Sequence, residues 1–141
     1  MSALESIIET FQWVDPPMRL ELLLDYTKRL PPLPEPFHAL RDRGLYMVHE
    51  CQSPVFLKVE VKEGRVHLYT DVPEEAPTAR SFVAIMVEAF EGVPPQEVLA
   101  APSDILHALG LADLIGMQRT RGLTAIYRRI KNEVARALEE A

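Results

Sequence analysis

Cysteine is nearly absent from this chain: Cys51 is the single one in 141 residues. A lone thiol excludes an internal disulfide, and unaided it cannot supply the ligand set of a zinc or iron–sulfur centre. Long apolar runs are missing too. No early stretch has the apolar core of a signal peptide, and none approaches the roughly 20 residues of a membrane span, so no membrane role is expected. With no export segment and one unpaired cysteine, the expected location is cytoplasmic. Positive charge is in short supply, with 15 Lys and Arg against 21 Asp and Glu and a formal net charge of -6. That balance argues against nucleic-acid binding driven by phosphate contacts. The basic residues that do cluster (Arg119, Arg121, Arg128, Arg129 and Lys131) read as a solvated helix face. Phosphate-binding glycine loops, His-Glu-x-x-His, Gly-x-Ser-x-Gly and acidic calcium loops are all missing. No metal or cofactor site of the chain's own is expected.

What is present is a folding sequence. Apolar residues make up 48% and charged residues 26%, a globular balance, and the length fits one domain over residues 1–141. Ser2 with Glu5 forms a capping box, followed by Leu4, Ile7, Ile8 and Phe11 at helical spacing. Trp13, just beyond, is expected in the core. Asp15-Pro16-Pro17 opens a second helix, with Leu20, Leu23, Leu24 and Leu30 as its buried side and a stop before Pro31. A short helical turn is expected over residues 36–41.

From Gly44 the period becomes two. Leu45, Met47 and His49 alternate with Tyr46 and Val48 in a first strand, and Val55, Leu57, Val59 and Val61 mark a second. Glu63-Gly64 is a hairpin turn into a third, carried by Val66, Leu68 and Thr70. A strongly apolar helix over residues 78–91 follows, with Ala79, Phe82, Val83, Met86 and Phe90 as its stripe. Gly92 ends it, and prolines separate two short helices. A last helix over residues 118–138 buries Leu123, Ile126, Tyr127, Ile130, Val134 and Ala137. The expected fold is α+β in the order ααβββαααα, a three-stranded antiparallel sheet covered by helices.

Cys51 falls in the connection between the first two expected strands, among Glu50, Gln52 and Ser53, with Pro54 stiffening the exit. Local context leaves two readings level: a packed small hydrophobe and a presented nucleophile. His49, two residues before the thiol, offers a Cys–His pair, and His67 a cross-strand alternative. Glu50 opposes thiolate formation by like charge unless a cation such as Arg119 offsets it. Asp71, Glu74 and Glu75 read as the solvated cap of the following helix.

The stretch Val48-His49-Glu50-Cys51-Gln52-Ser53-Pro54-Val55 resembles the SufE-like sulfur acceptors, with Cys-Gln-Ser-x-Val as its most specific core. Leu30-Pro31-Pro32-Leu33-Pro34, Arg80 and Arg119-Thr120-Arg121-Gly122-Leu123 support the likeness, which covers nearly the whole chain. This sequence has Glu50 where the family usually has glycine, Phe56 where tryptophan is common, and Arg121 for an asparagine. The resemblance implies a fold similar to the iron–sulfur scaffold IscU. It also implies that Cys51 takes sulfur from the persulfide of a pyridoxal-phosphate cysteine desulfurase, activating that enzyme, and passes it to an iron–sulfur scaffold. Gln52, Ser53, His49, Glu50 and Arg119 would shape or support the loop. The cofactor would belong to the desulfurase, and the chain itself would be a monomer or weak homodimer. Two rivals need no sulfur transfer: a protein-binding module in which Cys51 is incidental, and a cysteine hydrolase using Cys51 and His49.

Overall fold

A computed structural model describes residues 2–140. Helix α1 (Ala3–Trp13) starts where its cap predicts, with the Ser2 hydroxyl accepting from the Glu5 amide at 3.1 Å. It buries Leu4, Ile7 and Phe11. Helix α2 (Pro16–Asp25) runs into a 3-10 turn, Tyr26–Arg29, so Leu30 is buried one step beyond the helical stretch. Only Leu23 of α2 is buried, with Leu20 and Leu24 each 37% exposed. Trp13 departs from expectation outright. It lies at the last turn of α1 and is 82% exposed. The turn expected near residues 36–41 is a 3-10 turn, Glu35–Phe37, leading into helix α3 (His38–Asp42).

The expected three-stranded sheet has two strands. Strand β1 (Phe56–Lys62) pairs antiparallel with β2 (Arg65–Asp71) in the register Phe56 to Asp71 through Lys62 to Arg65. Glu63 and Gly64, both at positive φ (52° and 75°), make the hairpin turn that their sequence suggests. The missing strand fails for a backbone reason. Gly44 and Tyr46 take φ of 75° and 58°, in the left-handed region, so the chain there turns instead of extending. What survives is one bridge, Met47 opposite Phe56, flanked by Leu57 N–H to Tyr46 O and Val48 N–H to Val55 O, each 2.9 Å. The element order is accordingly ααα, ββ, αααα.

Helix α4 (Pro77–Phe90) packs between α1, α2 and β2, with nine buried residues, and is the most deeply set helix. Gly92, at φ 79°, ends it. Arg80 anchors its first turn: Nε donates to Thr27 O at 2.9 Å and a terminal nitrogen to Val72 O at 2.6 Å. Two short helices follow, α5 (Pro95–Leu99) and α6 (Ile105–Ala108), the second capped by Asp104. Helix α7 (Met117–Glu140) crosses β1 with Leu123, Ile126, Tyr127, Ile130 and Val134 inward. Ala137 is only partly buried.

Tyr127 is the largest fully buried side chain, and its hydroxyl donates to Pro102 O at 2.5 Å. Burial pushes its phenol from 10.0 up to about 12. The fold therefore prefers the neutral form. The preference is fully present below pH 10 and is lost as pH rises toward 12, by up to about 1.4 kcal/mol for each pH unit crossed in that window. Tyr127→Phe is expected to cost about 1 kcal/mol at neutral pH through the lost hydrogen bond. In urea titrations the parent's advantage over this variant should shrink above pH 10; a constant gap up to pH 12 would refute the assignment.

Candidate functional site

The Val48–Val55 hydrogen bond closes a loop of residues 49–54, and this loop carries Cys51 across α7. Contact is made at Gly122, which is buried within α7. A Cβ built there would lie 3.2 Å from Cys51 Sγ and 3.6 Å from Cys51 Cα. Glycine is the residue that lets the loop lie directly on the helix, and it leaves the thiol partly buried against the core. The packed and the presented thiol meet here, since the sulfur is covered on one side and faces a cleft on the other.

That cleft measures about 210 Å³. Cys51, Gln52 and Ser53 form one wall, Glu75 to Ala79 a second, and Gln118, Arg119, Gly122 and Leu123 of α7 the third. The first turns of two helices, α4 and α7, thus converge on the thiol, and α4 has no side-chain cap. Their free amides favour negative charge in the cleft. Arg119 is exposed and has no ion pair among the described residues.

Of the residues singled out in the sequence, Cys51, Gln52, Ser53 and Arg119 come together in this cleft. His49 is exposed and borders neither the cleft nor the groove beside it. Glu50 faces that second groove, with Thr120, Arg121 and Arg128. It also sits outside the left-handed region, since Tyr46 and Glu63 are the described non-glycine residues at positive φ. Glutamate in place of the family's glycine thus strains nothing in this loop. His67 is engaged elsewhere, its Nδ1 2.6 Å from Glu91 on the far side of the hairpin. The acidic cluster divides: Asp71 pairs with Arg41 at 2.9 Å, while Glu75 lines the thiol cleft. Glu75 was expected as part of a solvated cap, but α4 has no side-chain cap; its place in the cleft, the first turn of α4 there and the seating role of Gly122 were not identified from sequence. Their proximity depends on the hairpin returning the chain to the start of β1, where Asp71 sits opposite Phe56.

Among the described residues no cluster of three or more His, Cys, Asp or Glu could hold a metal ion. None of their helices is long and apolar enough to cross a membrane.

A two-stranded hairpin covered by helices in this way is a fold already seen. A hypothetical protein from Thermus thermophilus, known from its solution structure, superposes with a TM-score of 0.82 at 35% identity over 99% of both chains. The family model described as "SufE: Fe-S metabolism associated domain" matches residues 5–134. The chain belongs to the SufE family. An uncharacterized SufE-like protein of Mycobacterium tuberculosis is 38% identical over 135 residues, 95% of this chain and 92% of its own. The cysteine desulfuration protein SufE of Plasmodium vivax is 25% identical over 132 residues, 91% of this chain and 51% of its own.

Proposed function

We propose that this chain accepts sulfur from a pyridoxal-phosphate cysteine desulfurase, carries it as a persulfide on Cys51, and delivers it to a scaffold for iron–sulfur cluster assembly. The observation that carries the reading is the position of the lone thiol: it is held on a loop tip, half-covered, with one side facing a small cleft. Membership of a family associated with iron–sulfur metabolism supports it.

The chemistry is a thiol exchange. The Cys51 thiolate attacks the outer sulfur of a persulfide on the donor's cysteine. A new S–S bond forms on Cys51, the donor's S–S bond breaks, and the donor leaves as a thiolate. One proton is lost by Cys51 and one is taken up by the donor, and no outside oxidant or reductant is needed. Clearing the donor's cysteine allows it another cycle, which makes the acceptor an activator. Within the cleft, the helix amides and Arg119 favour the negative charge that begins on the Cys51 sulfur and ends on the donor's, against the opposing carboxylate of Glu75. The pyridoxal phosphate stays with the donor, and this chain needs no cofactor of its own.

The test is direct. Incubation with a cysteine desulfurase, pyridoxal phosphate and cysteine should add one sulfur atom to the intact mass, mapped to the peptide bearing Cys51. An unchanged mass in a mixture where the desulfurase is turning over would rule the proposal out.

A further inference from the structure

On the flank of the cysteine loop away from the thiol cleft, α7 presents a different face. Arg121, Thr124, Ala125, Arg128 and Asn132 follow along it at helical spacing and, with Glu50, border an open groove of about 600 Å³. Its floor is made of short, partly buried side chains, Thr124 and Ala125. Its sides carry guanidinium groups at Arg121 and Arg128, two helical turns apart. Both are exposed, and neither has an ion-pair partner among the described residues. Arg129, a third cation at the edge, is already engaged, with Nε 3.5 Å from Glu133 and Nη1 donating to Met47 O at 3.4 Å. Among the described residues, Glu50 is the one carboxylate bordering the groove. A local surplus of positive charge runs against the trend of a chain whose net charge is -6.

We propose that this groove docks an acidic segment of the protein that exchanges sulfur with Cys51, an inference that rests on the sulfur-acceptor reading above. Three features select that occupant. Two unpaired guanidinium groups over a floor of small side chains suit carboxylates carried on a polypeptide that can lie close to the helix. The overall negative charge opposes a polyanion as dense as nucleic acid, whereas a short acidic segment meets only the field within a Debye length of about 8 Å. Glu50, the residue before Cys51, borders the groove, so at this end its occupant lies against the loop that carries the thiol. Glu50 repels a carboxylate at that end and so favours a register with the acidic groups toward Arg128. Exposed charges of this kind act mainly on the rate of encounter.

The experiment follows Cys51 loading by a purified cysteine desulfurase with cysteine, read by intact mass at low and high salt. Three proteins are compared: the parent, Arg121→Glu/Arg128→Glu and Arg121→Lys/Arg128→Lys. At about 0.05 M NaCl the charge-reversed pair should load at least about tenfold more slowly than the parent, with the gap closing near 0.5 M. The lysine pair should keep most of the parent's rate. Glutathione persulfide, a small donor that needs no docking, should load all three alike, and all three should melt together. An octaglutamate peptide should slow desulfurase loading of the parent and leave the charge-reversed pair unaffected. Equal loading of all three proteins by the desulfurase at low salt overturns the inference and leaves sulfur acceptance standing. Competition by a short DNA duplex but not by octaglutamate overturns it as well. Loading of none by an active desulfurase removes the acceptor reading, and the inference falls with it.

Discussion

Cys51→Ser is expected to fold and melt like the parent chain, to dock with a desulfurase, and to take up no sulfur at all. The substitution changes one atom at a half-covered position whose neighbours are a loop and a helix glycine. Its stability cost should stay below about 1 kcal/mol, within the range of mild substitutions. The chemical cost is total. A serine hydroxyl is not ionised near neutral pH and does not attack sulfane sulfur, and the sequence has no second cysteine to substitute. Intact mass after incubation with donor, set beside a thermal melt and a pull-down with the desulfurase, separates the alternatives. A protein-binding module would keep every activity it has in this variant. Sulfur uptake by the serine protein would place the acceptor elsewhere and end the assignment. The hydrolase alternative predicts instead a dependence on histidine, and no histidine borders the thiol cleft.

Local signals were the legible part of this chain. The Ser2 cap, the Glu63-Gly64 turn, the apolar α4 and the inward stripe of α7 are each decided by residues within a few positions of one another. The resemblance carried by the Cys51 segment and the Arg119 to Leu123 run led to the family. Residues 44–49 misled because alternation of apolar and polar residues reports which side a residue would face if the chain were extended. It does not report whether Tyr46 adopts a left-handed backbone, and there the turn prevailed over the alternation. Trp13 misled differently, since hydrophobicity alone predicts burial while the end of α1 offers no partner to cover it. The cleft was half legible. Cys51, Gln52 and Ser53 lie together in sequence, whereas Glu75 and Gly122 reach them only through the hairpin and the crossing of α7. Such contacts join distant parts of the chain and leave no periodic trace.

Gly122→Val is expected to expel the cysteine loop from its seat and speed alkylation of Cys51 by iodoacetamide at least about tenfold. The geometry leaves little room. A bare Cβ at this position already comes within 3.2 Å of the sulfur and 3.6 Å of the Cys51 Cα, and valine adds two methyl groups beyond it. The helix cannot yield, because Leu123, Ile126 and Tyr127 are pinned in the core immediately after it. The loop can, since the backbone and Arg129 bonds at residues 46–48 and 55–57 fix its base, while residues 49–54 belong to no ladder among the described residues. Gly122→Ala sets two effects against each other: about 1 kcal/mol of helix propensity gained, offset by a contact the sulfur can relieve by moving a few tenths of an ångström. Alanine should therefore leave the melting temperature nearly unchanged, while valine costs about 1–3 kcal/mol as an overpacked contact. The functional consequence follows from what the seat does. On the proposed function, a persulfide on Cys51 would lie half-covered against α7 and be shielded from free thiols until a partner drew the loop outward. In the valine protein that shield is gone, so sulfur loaded onto Cys51 should be stripped by dithiothreitol faster than in the parent. Parent-like alkylation and stripping rates in a well-folded valine protein would show that Gly122 plays no part in covering the thiol.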